Sequence, residues 1–287
     1  MAHEHADEQE IHDRVAALLD EVDARLDEGQ PEEALELARS AQKLLDRHEE
    51  LKKKQLDLRV DTHHLLAASH FELGDIAAAL REYGTIRRID ARDPELDFWE
   101  ARALFHAWRF DEASKLLLRH KPKPATRAGQ LRYLGLLADF RGEHAEADQL
   151  LAKAARENPD EYPEPVRLPV DEVQRVLEEV LSALPRDVRR TLQDVDLSLR
   201  PLPDPRIHAS PDVDPLVLGL YRGTNVLEKG DAAVPGDLDR IDVFQRNVEL
   251  VVGDRDELRE ELKITLLHEI GHHLSWDEDG LADRGLN

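Results

Sequence analysis

The chain has 287 residues, with 39 Lys and Arg against 62 Asp and Glu, a formal net charge of -23, and no Cys. A field of that sign repels nucleic acid and anionic lipid, so neither is expected as a partner. Without Cys there are no disulfides and no thiolate ligands, which suits a reducing compartment and leaves His, Asp and Glu to bind any metal.

The first residues, MAHEHADEQEIHD, are acidic where an export signal would be basic and then apolar. No apolar run approaches the roughly 18 residues that a membrane-spanning helix needs. A soluble cytoplasmic protein is expected, and the length allows two domains.

From about residue 10 to 158, Leu and Ala recur at helical spacings with charged residues between them. A second period lies over the first. Gly74, Trp108 and Gly142 are 34 residues apart and are followed by Ala79, Ala113 and Ala147, then by Tyr83, Leu117 and Leu151. A break followed by a small Ala suits two helices packed closely as a hairpin, a unit that buries its apolar face by stacking on its neighbours. An earlier copy, GQPEEALELARSAQKLL, precedes the second by 45 residues. The alternative is an unrelated helical bundle, which has no reason to keep a fixed spacing. On these residues the region resembles the tetratricopeptide repeat family, in register from about residue 60 to 159. Trp108 stands where that family usually has Gly, and Ala91 and Ala125 stand where Pro often closes the repeat. The resemblance implies an all-α repeat domain over residues 10–160 that docks protein partners.

The stretch NPDEYPEPVRLP forbids continuous helix and predicts a linker over residues 161–169. Beyond it, residues 170–287 read as an α+β unit. Helices are expected at about 171–183 and 185–192, a half-buried strand at VDLSLRPL, and a second strand around RIDVFQRN after a Pro-rich loop and LVLGLYRG. The last predicted element is the helix of DRDELREELKITLLHEIGHHL, with Asp254 as its N-cap and acidic residues in its first turns.

That helix carries His268-Glu269-x-x-His272. At about 100° per residue the two imidazoles share a face, with Leu266, Leu267, Ile270 and Leu274 on the opposite arc. An i, i+4 His pair on a rigid element is what zinc requires, and an ion with two His and otherwise oxygen donors suits zinc best among divalent metals. Glu269, about a quarter-turn round, is placed to act as general base on a metal-bound water. The competing reading is a solvated helix end with incidental histidines. His273 projects away from the pair and is expected to be structural or to support the metal ligands through a hydrogen bond. A third ligand must come from the short tail or from upstream, and Asp277, Glu278 and Asp279 are the dense supply of donors in the tail.

LPRDVRRTL, LGLYRGTNV with RIDVFQRN, the site helix, and WDEDGLADRGL together resemble the short bacterial zincin-like metallopeptidases over about residues 168–286. The resemblance implies one Zn2+ held by His268, His272 and a third ligand at Glu278, with Asp277 or Asp279 as alternatives, and Glu269 as catalytic base. Glu278 stands where the family usually has Asp, and Ser275 where it has Gly. A Gly at that position permits positive φ, and Ser in that conformation costs on the order of 1 kcal/mol. A peptide or protein substrate is expected to lie along an edge strand, for which Ile241, Asp242, Val243, Phe244 and Gln245 are the candidates. The expected function is that of a zinc-dependent peptidase with a helical docking domain. The rival is a non-catalytic repeat scaffold with a degenerate metal-binding zincin domain.

Overall fold

The computed structural model describes residues 2–48, 55–223 and 239–276. The chain divides into two compact units, Met1–Thr126 and Arg127–Asn287. In the first, helices pair in order: α1 (Ala2–Asp27) with α2 (Pro31–Asp46), α3 (Leu56–Glu72) with α4 (Ile76–Ile89), and α5 (Leu96–His106) with α6 (Phe110–Arg119). A fourth pair, α7 (Pro124–Phe140) and α8 (His144–Glu157), lies almost wholly in the second unit.

One turn joins the helices of all four pairs. Gly29, Gly74, Trp108 and Gly142 have φ of 70, 76, 60 and 80°. At Gly74 the N–H donates to Phe71 O and the next N–H to His70 O, each at 2.9 Å. The same two bonds recur at Trp108 (to Phe105 O and Leu104 O) and at Gly142 (to Asp139 O and Ala138 O). This is the paired closure of a helix end through a left-handed residue, which satisfies two otherwise orphaned carbonyls. The 34-residue spacing of Gly74, Trp108 and Gly142 is therefore a spacing of identical backbone turns.

The residues that follow each turn pack the hairpin. Ala79, Ala113 and Ala147 are fully buried, and Tyr83, Leu117 and Leu151 nearly so. Close approach is most evident in the fourth pair, where a Cβ on Gly135 of α7 would meet Leu151 Cγ at 3.0 Å and Ala147 O at 3.3 Å. Small residues at the crossing let backbones approach and leave larger neighbours to fill the flanks.

The second unit continues with α9 (Val170–Ala183), α10 (Arg186–Thr191), a 3-10 turn at Leu192–Asp194, β1 (Val195–Arg200) and α11 (Pro205–His208). It ends with β2 (Gly219–Arg222), β3 (Asp239–Phe244), α12 (Gln245–Val248) and α13 (Arg255–His273). The strand order is β1-β3-β2, with β1 parallel and β2 antiparallel to β3. Period-2 alternation gives this small mixed sheet two unlike faces. Leu197, Leu199, Ile241 and Val243 join α9 and α13 in one apolar core with Val173, Leu177, Leu258, Leu262 and Leu266. On the other face, Asp242 is fully buried and receives Arg200 at 2.7 Å, His208 at 3.1 Å and Arg222 at 3.1 Å. Burial alone pushes the Asp242 carboxyl up, but these hydrogen bonds outweigh it and hold the group below its ordinary value.

The Pro-rich segment expected as a linker is fastened within the second unit. Val166 N donates to Glu249 O at 3.1 Å, Leu168 N to Glu249 Oε1 at 3.1 Å, and Gln245 Nε2 to Leu168 O at 2.8 Å. Arg167 reaches Glu249 at 2.7 Å and Asp148 of α8 at 2.8 Å, while Arg246 reaches Asp139 at 2.7 Å and Asp148 at 2.6 Å. These ion pairs tie the last hairpin to the sheet-bearing part of the same unit. Compactness therefore divides the chain at Thr126, ahead of the Pro-rich segment.

Candidate active site

The site helix α13 starts where the sequence places it. Asp254 caps it by accepting from Asp256 N at 2.8 Å and Glu257 N at 2.9 Å, with Asp256 and Glu257 in the first turn. Leu258, Leu262, Leu266 and Ile270 bury one stripe in the core, and Leu267 and Leu274 pack against it. The helix is thus locked by its apolar side, and the arc bearing His268 and His272 stays half-exposed.

His268 Nε2 and His272 Nε2 lie 2.9 Å apart, with ring centroids at 4.6 Å and planes inclined by 77°. The two nitrogens converge on one point. Two imidazole nitrogens bound tetrahedrally to zinc at about 2.0–2.1 Å are separated by about 3.3 Å, so an opening of a few tenths of an ångström seats the ion. The donor chemistry and the convergence both fit zinc.

Glu269 is buried and faces β2. Its Oε2 accepts from Tyr221 N at 2.6 Å. The approach is close enough to demand glycine: a Cβ on Gly219 would stand 2.8 Å from Glu269 Cγ, 2.9 Å from Glu269 Oε1 and 2.9 Å from Thr265 Cγ2. Phe244 N donates to Leu218 O at 2.8 Å, so residues 218, 220 and 222 form the hydrogen-bonded pairs with β3. Gly219 and Tyr221 direct their backbone groups the other way, and Tyr221 meets the Glu269 carboxylate there.

His273 is buried and structural, as expected. Its Nδ1 is 3.3 Å from Asp239 Oδ2 and 3.5 Å from the Tyr221 hydroxyl, and its Nε2 is 3.2 Å from Thr191 O. The ring also packs edge-on against Tyr221 at 5.6 Å. One side chain thereby fixes the end of the site helix against α10, β2 and the start of β3.

Directly after the helix, Ser275 adopts φ 66°. Its N–H donates to His272 O and that of Trp276 to Gly271 O, both at 3.0 Å. A left-handed turn closes the helix here, with Ser in the strained conformation that Gly would occupy at lower cost.

Two expectations about site residues meet different outcomes. Glu278 and its alternatives Asp277 and Asp279 lie outside the described residues. Among the described residues, no group of three His, Asp or Glu side chains converges to hold a metal. The segment Ile241 to Gln245 is not an edge strand: Ile241, Asp242, Val243 and Phe244 belong to β3, which is paired on both sides, and Gln245 opens α12. Its four strand residues are fully buried, and its ladder is filled by β1 and β2. The edge on the Glu269 side is β2. Sequence reasoning left LVLGLYRG without a strand, although a Gly inside a short apolar run is a recognised sign of close backbone approach. Gly219, Tyr221 and Asp239 were missed with it.

The site helix thus carries two convergent imidazoles with a buried carboxylate between them and lies against a small mixed sheet. Residues 192–286 match the family model for zincin-like metallopeptidases. That span begins at the 3-10 turn before β1 and takes in all three strands and the site helix. No match was found among curated proteins. Among the described residues, no helix is long and apolar enough to cross a membrane.

Proposed function

We propose that residues 170–287 act as a zinc-dependent peptidase, and that the helical hairpins of residues 10–160, read as tetratricopeptide-like, dock its substrate or a protein partner. The absence of Cys fits a reducing, cytoplasmic setting. The observation that carries the reading is the 2.9 Å convergence of the His268 and His272 nitrogens beside buried Glu269. His268 and His272 would hold the ion, with Glu278 as the third ligand. When bound, zinc polarises a carbonyl and lowers the pKa of water.

Glu269 takes the proton from the attacking water and hands it to the departing amine nitrogen as the peptide C–N bond breaks. The Tyr221 N–H anchors one of its oxygens, so the carboxylate is oriented before substrate arrives. An extended substrate backbone is best served by the outward backbone groups of Gly219, the Tyr221 N–H on that edge being engaged by Glu269, a mode that selects little by side chain and leaves target choice to the hairpins. The rival reading, a scaffold that has lost turnover, draws support from Ser275, whose strained turn departs from the Gly usual in such sites.

The test is a pair of assays on the full chain with an unstructured protein such as casein and a quenched peptide library. Glu269→Gln is expected to retain metal and lower turnover by about 10²–10⁴-fold. Equal turnover by both proteins removes the catalytic assignment.

A further inference from the structure

The first unit holds a groove of about 500 Å³ between α1, α3 and α5. Its apolar wall includes Leu19, Leu58, Leu65, Phe71, Tyr83 and Trp99. Arg102 closes one side, stacked over the Phe71 ring at 3.9 Å and held by Glu72 at 3.1 Å. His64 is bound to Asp93 at 2.5 Å, and Glu95 to Lys123 at 2.8 Å. The cationic groups of the lining are thus already engaged inside the unit.

Three acids of the lining differ. Asp20 and Asp23 of α1 and Asp61 of α3 line the groove, and none has a hydrogen-bond or ion-pair partner among the described residues. Partial burial, then Asp27 and Asp20, raises the Asp23 carboxyl above its ordinary value. Partial burial raises that of Asp61, with Asp57, Asp93 and Asp23 adding to it against the opposing pull of His64. Like charges crowded at the mouth of an apolar cavity disfavour their own ionised form and are relieved by a cation brought from outside.

We propose that this groove docks a peptide segment that sets an apolar side chain beside a lysine or arginine. The apolar side chain enters the wall of Leu58, Leu65, Phe71 and Trp99, while the cationic head bridges the Asp23 and Asp61 carboxylates. The stem of a Lys or Arg is itself apolar and lies along such a wall with its charge at the rim. The net charge of -23 steers the same class of segment toward the molecule. This assignment rests on the docking role given to the hairpins above and specifies the chemistry they select.

The experiment uses the full chain in the Glu269→Gln background, so that turnover does not consume the probe. Three labelled nonapeptides are compared by fluorescence anisotropy: one alternating Phe with Lys, one alternating Phe with Glu, and one alternating Gly with Lys. The Phe–Lys peptide is expected to bind about tenfold or more tighter than either other peptide, and to weaken as salt rises from about 0.05 to 0.5 M. Asp23→Asn with Asp61→Asn, near-isosteric changes whose folding is checked by far-UV circular dichroism, is expected to cost at least about fivefold in that affinity. Equal binding of the Phe–Glu peptide, an unchanged affinity in the double variant, or no Phe–Lys binding up to about 1 mM overturns the proposal. So does self-association of the chain that the same double variant abolishes, because the occupant is then a second copy. Binding is read without zinc or turnover, so loss of the peptidase reading leaves this result intact, and the converse also holds.

Discussion

The two compact units bury different things. Among the described residues of Met1–Thr126 the buried polar ones are Thr62, Ser69, His120 and Thr126, and the rest of the interior is aliphatic and aromatic. In Arg127–Asn287 they include Asp139, His208, Asp239, Asp242, Glu249, Glu269 and His273. An apolar interior made of repeated hairpins loses stability in small separable amounts. A buried carboxylate depends on each of its partners, and removing one leaves a desolvated charge behind. The contrast predicts that single side chains matter more in the second unit, and most around the site helix.

The largest effect on stability is expected at His273. Replacing it with Ala leaves Asp239 buried beside a cavity and should cost about 2–4 kcal/mol in urea unfolding. A loss no greater than that of an ordinary surface substitution would break the comparison. Gly219→Ala comes next: the added Cβ forces Glu269 or the strand aside, at about 1–3 kcal/mol, and it should lower kcat as well because the displaced group is the proposed base. Unchanged stability and turnover would show that the strand and helix are not in the close contact described.

The smallest effect sharpens the comparison at the turns. The same two-bond closure ends α1, α3, α5 and α7 in the hairpins and α13 at the site, and only Trp108 and Ser275 make it without Gly among the described residues. Ser275→Gly should stabilise by about 0.5–1 kcal/mol, because its side chain is small and the strain is relieved. Trp108→Gly should gain less or lose, since the indole packs on Phe110 at 5.7 Å. Thermal unfolding of the two variants decides whether strain or packing dominates at each.

These turns also explain what was legible beforehand. A backbone geometry repeated at a fixed spacing leaves a fixed spacing of permissive residues, so the hairpins could be read from Gly74, Trp108 and Gly142 even with one Gly replaced. The site helix was equally plain, because its cap, apolar stripe and His pair all obey the 3.6-residue period. The strand order was not. Ile241 to Phe244 form a strand whichever neighbours they have, and only the long-range pairing of Val195–Arg200 and Gly219–Arg222 with it makes it central. The four-residue β2 was too short to announce itself except through Gly219. The Pro-rich segment reads as a breaker of helix, and it is; that Glu249 fastens it lies about eighty residues away in sequence, beyond the reach of local pattern.

The account depends most on His268 and His272 holding one ion together. Metal analysis of the full chain, purified without added metal and dialysed against trace zinc, tests this directly when paired with His272→Ala. About one zinc per chain is expected in the parent and a small fraction of that in the variant, with circular dichroism unchanged. Equal zinc in both proteins, or none in either, would contradict it.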